Sequence, residues 1–161
     1  MSEDNTDTSL TDELAAIVES IRPATTLTII DEDVPLPDVG ERFHYPPATA
    51  ESLLQAPVSQ LVDLAIVDSR AELADDSVRI VLSRLRDLLA RRVLIIVRPE
   101  AGAIWSRHTM IGCGYTHLTD CHHQGDALAL FHFDIHTYKH TPDWLGPSNW
   151  ANPEMWDKYR W

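Results

Sequence analysis

Cysteines, glycines and long apolar runs are all scarce in this chain. Its 161 residues include two cysteines, Cys113 and Cys121, and no Cys-x-x-Cys pair, so a disulfide framework is not expected. No apolar run approaches the roughly 20 residues that cross a bilayer. The first ten residues are acidic, whereas a secretory signal begins basic and continues apolar. The sequence therefore predicts a cytoplasmic protein without a membrane partner.

Basic residues are few compared with acidic ones. Thirteen lysines and arginines stand against 25 aspartates and glutamates, which gives a formal net charge of −12. A negative field of this kind repels phosphate backbones and anionic lipid surfaces, so no nucleic-acid partner is predicted. The length fits one domain with a sizeable core.

The sequence motifs of common enzyme classes are absent. The chain has six glycines and contains neither a P-loop nor an HExxH sequence. Ser69 follows a predicted strand but lacks the flanking glycines of the hydrolase nucleophile elbow. We therefore predict no catalytic residue and favour a protein that is not an enzyme.

What remains is a clear succession of helices and strands. Residues 1–9 are polar and predict a disordered acidic arm. A helix follows, because one apolar stripe after the capping residue Ser9 is formed by Leu10, Leu14, Ile17, Val18 and Ile21. Continuous apolar runs predict buried strands at 25–31, 62–68 and 92–97.

The segments between these strands decide the fold class. Residues 34–47 contain four prolines, so they cannot form a long helix, although "RFHY" within them predicts a short strand. A second amphipathic helix spans residues 78–89. Strands separated by helices predict the α/β class, with a mostly parallel sheet inside a Rossmann-like three-layer sandwich. An antiparallel C-terminal strand pair is expected to close the sheet. This domain would span residues 10–140.

Acidic residues follow two of the predicted strands. Asp31 ends the first strand and Asp33 follows it closely, and Asp68 ends the second. Ligands in open α/β sheets bind beyond the carboxyl ends of the strands, so these three residues are candidates for cofactor binding. The alternative, which we favour, is that they cap the following turns and are solvated.

Histidines and one cysteine are concentrated between residues 121 and 140. The stretch "ALALFHFDIHTYKH", residues 127–140, predicts one long strand with His132, Asp134 and His136 on a single face. The preceding "DCHHQGD" predicts a loop that contributes Cys121 and His122. These five residues are candidate zinc ligands. The favoured interpretation is a half-exposed strand face, because His132 and His136 are four residues apart, about 14 Å along a strand, and do not easily reach one ion.

The C-terminal residues 141–161 have an unusual composition. They hold four of the five tryptophans of the chain, which are Trp144, Trp150, Trp156 and Trp161. Indole rings are seldom left in solvent. We expect this tail to pack on the domain, and the alternative is a surface for self-association or a protein partner.

Several segments together resemble the class I methyltransferase family. "VDLAIVDS" resembles the fourth-strand motif of that family, and residues 78–97 resemble its helix into strand five. "MIGCGYTHL" is similar to its closing helix and turn, and "ALALFHFDIHTYK" to its terminal strands. The resemblance covers residues 10–140 and implies binding of S-adenosylmethionine (SAM). The chain as a whole resembles an uncharacterised gammaproteobacterial family of unknown function.

One departure from the methyltransferase pattern sets the order of the functional hypotheses. The glycine-rich turn that follows the first strand in that family is replaced here by "TIIDEDVPLPDVG". We therefore favour a noncatalytic, methyltransferase-like protein that binds a partner or a small ligand, with no cofactor expected. A divergent SAM-dependent methyltransferase is the first alternative. A small metal-binding protein that uses segment 121–140 is the second.

Overall fold

The computed structural model describes residues 8–44, 61–70 and 73–138. The α-helices are α1 (Leu10–Ile21), α2 (Asp75–Arg84) and α3 (Arg107–Gly112). A π-helical turn (Leu85–Leu89) extends α2, and a 3₁₀ turn (Ala103–Trp105) precedes α3. The strands are β1 (Thr25–Ile29), β2 (Glu41–His44), β3 (Val62–Asp68), β4 (Ala90–Val97), β5 (Thr116–His123) and β6 (Asp126–Asp134). The fold is mixed α/β, as the sequence predicts.

The six strands form one sheet in the order β2-β1-β3-β4-β6-β5. Strands β1 to β4 pair in parallel, and β6 pairs antiparallel with both β4 and β5. The antiparallel pair at the end of the sheet confirms that part of the prediction. Strand β6 runs antiparallel to β4, and β5 runs antiparallel to β6. Strand β5 therefore has the same direction as the parallel strands, and its carboxyl end lies at the same edge of the sheet.

Helix α1 begins and ends where its sequence requires. The Ser9 side chain accepts a hydrogen bond from the Asp12 N–H, and the chain turns away at Arg22 in the left-handed region, directly before Pro23. The apolar stripe is buried at Leu10, Leu14 and Val18. This helix is therefore held by its cap and by one apolar face.

Two clusters of buried side chains lie on opposite faces of the sheet. Alternate residues of β3 show this division, because Leu64 and Ile66 belong to one cluster and Ala65 and Val67 to the other. Helix α1 covers the first cluster. Helices α2 and α3 cover the second, which also contains the aromatic residues Trp105, Tyr115, Phe131 and Phe133. Both faces of the central strands β1, β3 and β4 are thus largely buried, whereas the edge strand β5 is mostly exposed.

The last hairpin differs from the sequence prediction in two places. Asp120 to His123 form the end of β5 instead of a loop, and the turn contains only Gln124 and Gly125, at φ 53° and 89°. Strand β6 ends at Asp134, so the predicted strand over 127–140 is too long. The Asp134 side chain accepts a hydrogen bond from the His136 N–H at 2.8 Å, and its carbonyl accepts from Thr137 and Tyr138. These bonds turn the chain out of the sheet.

The N-terminal boundary also differs from the sequence prediction. The sequence places Thr8 and Ser9 in the arm, but the Thr8 carbonyl accepts a hydrogen bond from the His122 N–H at 3.0 Å, and Ser9 forms a parallel β-bridge with His122. Residues 1–7 of the predicted arm lie outside the described residues, as does the tail 141–161. None of the described helices is long and apolar enough to span a membrane.

Candidate functional site

Charged side chains from four parts of the chain meet at the carboxyl edge of the sheet. Strand β1 leads into Asp31 and Asp33, β3 ends at Asp68, β4 leads into Arg98, and β5 ends at His123. Because these strand ends share an edge, residues that are far apart in sequence become neighbours. We call this group, together with Arg70, the carboxyl-edge cluster.

The innermost part of the cluster is an ion pair between Asp68 and Arg98. The guanidinium Nε lies 3.2 Å and 3.1 Å from the two carboxylate oxygens, and Nη2 lies 2.8 Å from Oδ2. Asp68 is 0% exposed and Arg98 4%. The Arg98 N–H also donates to Ser69 Oγ at 3.0 Å. Burial makes these charge-assisted bonds necessary, since neither charge can be solvated by water.

Arg70 links the remaining acidic residues to this pair. Its Nη2 lies 2.6 Å and 2.7 Å from the two oxygens of Asp33 and 3.8 Å from Asp68 Oδ2. Its Nε lies 3.2 Å from Asp31 Oδ2. The Arg70 main chain is held as well, because its N–H donates to Asp68 Oδ1 at 2.9 Å. One arginine therefore faces all three acidic residues of the cluster.

The protonation of the cluster follows from these contacts. The hydrogen bond from Arg70 holds the pKa of Asp33 below its usual value of 3.8, against an opposing effect of partial burial. The positive charges of Arg70, Arg98 and His123 act in the same direction as that hydrogen bond. The same hydrogen bond raises the pKa of Arg70. Asp33 is thus a carboxylate in the folded protein at neutral pH.

Two nitrogen atoms of the cluster lack a proper hydrogen bond. His123 Nε2 and Arg70 Nε are buried atoms for which no acceptor with suitable geometry is present in the described part of the chain. His123 Nε2 lies 4.0 Å from Asp33 Oδ2, which is too long for a hydrogen bond. Buried polar atoms are nearly always satisfied in proteins. The cluster is therefore well paired at its centre and incompletely paired beside Asp33.

A shallow cleft of about 270 Å³ adjoins Arg98 on the side of the 3₁₀ turn. Trp105 and Phe131 contribute apolar walls, and His117 and Asp120 contribute a hydrogen-bonded pair at 2.8 Å. The imidazole of His117 also meets the Phe131 ring edge-on at 5.4 Å between centroids. The cleft combines apolar walls with a few polar groups, as small-molecule sites do.

The structure brings the three predicted cofactor residues together, and it places them beside two arginines that the sequence analysis did not identify. Asp31, Asp33 and Asp68 are all engaged by arginines, so the prediction that they are simply solvated is wrong for the buried Asp68. Sequence reasoning missed the two arginines. The position of Arg98 in the sequence could have identified it, because Arg98 follows the carboxyl end of β4 just as Asp33 follows the carboxyl end of β1.

The predicted metal ligands on β5 point in different directions. Cys121 is buried in the cluster under α1, whereas its neighbour His122 is exposed. Burial raises the pKa of the Cys121 thiol to about 11, which disfavours the thiolate that binds zinc. Cys121 therefore acts as an apolar core residue in this fold.

The predicted metal ligands on β6 are also separated. His132 and Asp134 lie on one face of β6, but His136 lies beyond the strand in an exposed turn. The Asp134 carboxylate lies 2.9 Å from Arg92 Nε and also accepts from the His136 N–H. Within the described ranges, no group of three or more His, Cys, Asp or Glu residues is arranged to hold a metal ion.

The predicted interaction residues Trp144, Trp150, Trp156 and Trp161 lie outside the described residues.

Comparison with known proteins gives one family assignment. No curated protein matches the chain. The model of a family of unknown function, DUF6231, matches residues 8–161. Since this match includes every described element and extends to the last residue, the chain belongs to the family of unknown function DUF6231.

Proposed function

We propose that this chain is a noncatalytic Rossmann-like protein, related in fold to the class I methyltransferases, that binds a small ligand or a protein partner. The observation that carries the proposal is the carboxyl-edge cluster. At the place where an α/β sheet receives its ligand, Arg70 and Arg98 already bind the three carboxylates. Among the described residues, the groups at this edge are charged side chains that are suited to recognition.

The topology supports the Rossmann-like part of the proposal. Parallel strands β1, β3 and β4 form the centre of the sheet, helices cover both of its faces, and an antiparallel pair follows. This is the arrangement that the resemblance to the methyltransferases implies. A small ligand is favoured by the cleft beside Arg98, whose walls include two buried aromatic rings.

The residues after β1 argue against a nucleotide cofactor. A SAM-binding sheet needs a close-fitting main chain at this corner, which small residues permit. Here the chain makes a turn in which the Val34 N–H donates to the Asp31 carbonyl, and the Val34 side chain is buried. A ribose also needs a carboxylate that can accept from its hydroxyl groups, and Asp33 gives both oxygens to Arg70.

Thermal unfolding in the presence of SAM and S-adenosylhomocysteine tests this proposal. We expect millimolar concentrations of either compound to leave the melting temperature unchanged, because the sequence after β1 lacks the glycine-rich turn of the SAM-binding family. ATP at the same concentration is the control for nonspecific effects of a nucleotide. A rise of several degrees with the SAM compounds, but not with ATP, would contradict the proposal.

A divergent SAM-dependent methyltransferase is the second candidate. It is favoured by the convergence of Asp31, Asp33 and Asp68 at one edge. In that case Asp31 or Asp33 would contact the cofactor and Asp68 the substrate side. Arg70 would then have to release its acidic partners when the cofactor binds, so a positive thermal-unfolding result would move this candidate to first place.

A further inference from the structure

Asp33 is placed in the carboxyl-edge cluster much as a bound anion would be. It belongs to the segment after β1, and its carboxylate is approached by three cationic or titratable side chains from other parts of the fold. Arg70 Nη2 lies at 2.6 Å, Arg98 Nη2 at 4.0 Å and His123 Nε2 at 4.0 Å from its oxygens. These donors come from the ends of β3, β4 and β5.

The tethered carboxylate of Asp33 satisfies these donors only in part. Both of its oxygens bond to the same Arg70 nitrogen, Nη2. His123 Nε2 is buried and has no hydrogen bond among the described residues. The neighbouring Arg70 Nε is also buried, and its ion-pair contact with Asp31 Oδ2 at 3.2 Å lacks hydrogen-bond geometry. A carboxylate that is free of the main chain could present one oxygen to Arg70 and the other to His123, because its position would not be fixed by β1.

We propose that Arg70, Arg98 and His123 form a binding site for the carboxylate group of a small ligand, and that Asp33 occupies this site when the ligand is absent. The inference rests on the proposed function, since it names the ligand class of the same edge. Asp33 is then an internal competitor that the ligand displaces, together with the turn that carries it.

The charges of the cluster favour exchange over simple addition. Two guanidinium groups and one imidazole face the carboxylates of Asp31, Asp33 and Asp68. An additional anion would enter a neighbourhood that is already neutral or negative, in a chain of net charge −12. When a ligand carboxylate replaces that of Asp33, the charge around Arg70 stays the same. The site therefore suits a carboxylate that takes the place of Asp33.

Chemical rescue of an Asp33→Ala variant tests the proposal directly. Melting temperatures of this variant are compared in sodium acetate and in sodium chloride of equal ionic strength. We expect acetate to stabilise it saturably, by about 3–5 °C at a tenfold excess over the dissociation constant. Wild type should gain less, because Asp33 competes. Inorganic phosphate, as a parallel probe, distinguishes a carboxylate site from a general oxyanion site.

Asp31→Ala is the matched control variant. Asp31 pairs with the same arginine, but no contact joins it to Arg98 or His123 among the described ion pairs. It should show no acetate-specific gain. Equal rescue of both variants, no acetate-specific rescue of Asp33→Ala, or stronger rescue by phosphate than by acetate would overturn the proposal.

A second measurement keeps the proposal testable if Asp33→Ala does not fold. In wild type, the imidazole ¹⁵N signals of His123 are followed during an acetate titration, with His122 as an internal reference. His122 lies on the same strand but is exposed. We expect a saturable shift at His123 alone, and parallel shifts of both rings or none would refute the site. A SAM-induced rise in melting temperature without these effects would instead refute the proposed function.

Discussion

Replacing Arg98 by methionine should destabilise the protein strongly without unfolding it. The variant keeps an unbranched side chain but leaves Asp68, which is 0% exposed, without the partner that lies 2.8 Å away. Breaking a buried ion pair by removing one member costs about 3–5 kcal/mol. Arg70 Nη2 remains 3.8 Å from Asp68 Oδ2, so the lower end of that range is expected. A domain stability of about 5–15 kcal/mol tolerates this loss.

Urea unfolding followed by far-UV circular dichroism measures the effect. With a slope of about 2 kcal/mol per molar urea, a loss of about 3 kcal/mol lowers the midpoint by about 1.5 M. Asp68→Asn should cost a similar amount, because it leaves Arg98 buried and unpaired. The stability lost in the double variant should be smaller than the sum of the two single losses by about 2 kcal/mol or more. Strict additivity, or a loss below about 1 kcal/mol in Arg98→Met, would refute the assignment of a buried pair.

Two further predictions concern protons and metal. Because the pKa of Asp33 lies below 3.8 in the folded state, its ionised form stabilises the protein above that pH. This contribution is lost as the pH falls through the lower folded value, so wild type should lose more stability than Asp33→Asn between about pH 4 and pH 2 in urea titrations. Equal losses would show that Arg70 does not stabilise the Asp33 carboxylate. For the zinc hypothesis, metal analysis of untagged protein should find less than about a tenth of an equivalent of zinc, since a zinc site needs three or four ligands. One full equivalent of zinc in wild type that is lost in Cys121→Ser would contradict this expectation.

The buried strands were the most predictable part of the fold. The sequence predicts strand β3 at residues 62–68, where it is found, because a strand covered on both faces is apolar over most of its length. The end of β6 was not predictable from alternation. His136 and Tyr138 continue the period of two in the sequence, yet hydrogen bonds to Asp134 turn the chain before it reaches them. The hydrophobic period of a sequence does not show local hydrogen bonds of this kind, which compete with strand pairing.

The candidate site was predictable only in its acidic half. Asp31, Asp33 and Asp68 stand at strand ends, and the rule for parallel sheets places such residues at one edge. Their partners depend on the order of the strands. Asp68 and Arg98 are 30 residues apart, and Asp33 and Arg70 are 37 apart. No helical or strand period links residues at these separations, so the ion pairs appear only when β1, β3 and β4 are aligned side by side.

The position of β6 between β4 and β5 determines when the sheet can be completed during synthesis. Strand β5 leaves the ribosome first, but its sheet partner β6 follows it and also supplies the antiparallel neighbour of β4. Until residue 134 has emerged, the edge of β4 that pairs with β6 lacks this neighbour and is open to other strands. C-terminal truncations that end before this residue should therefore yield aggregating fragments, whereas the nascent protein is protected as soon as the final hairpin closes.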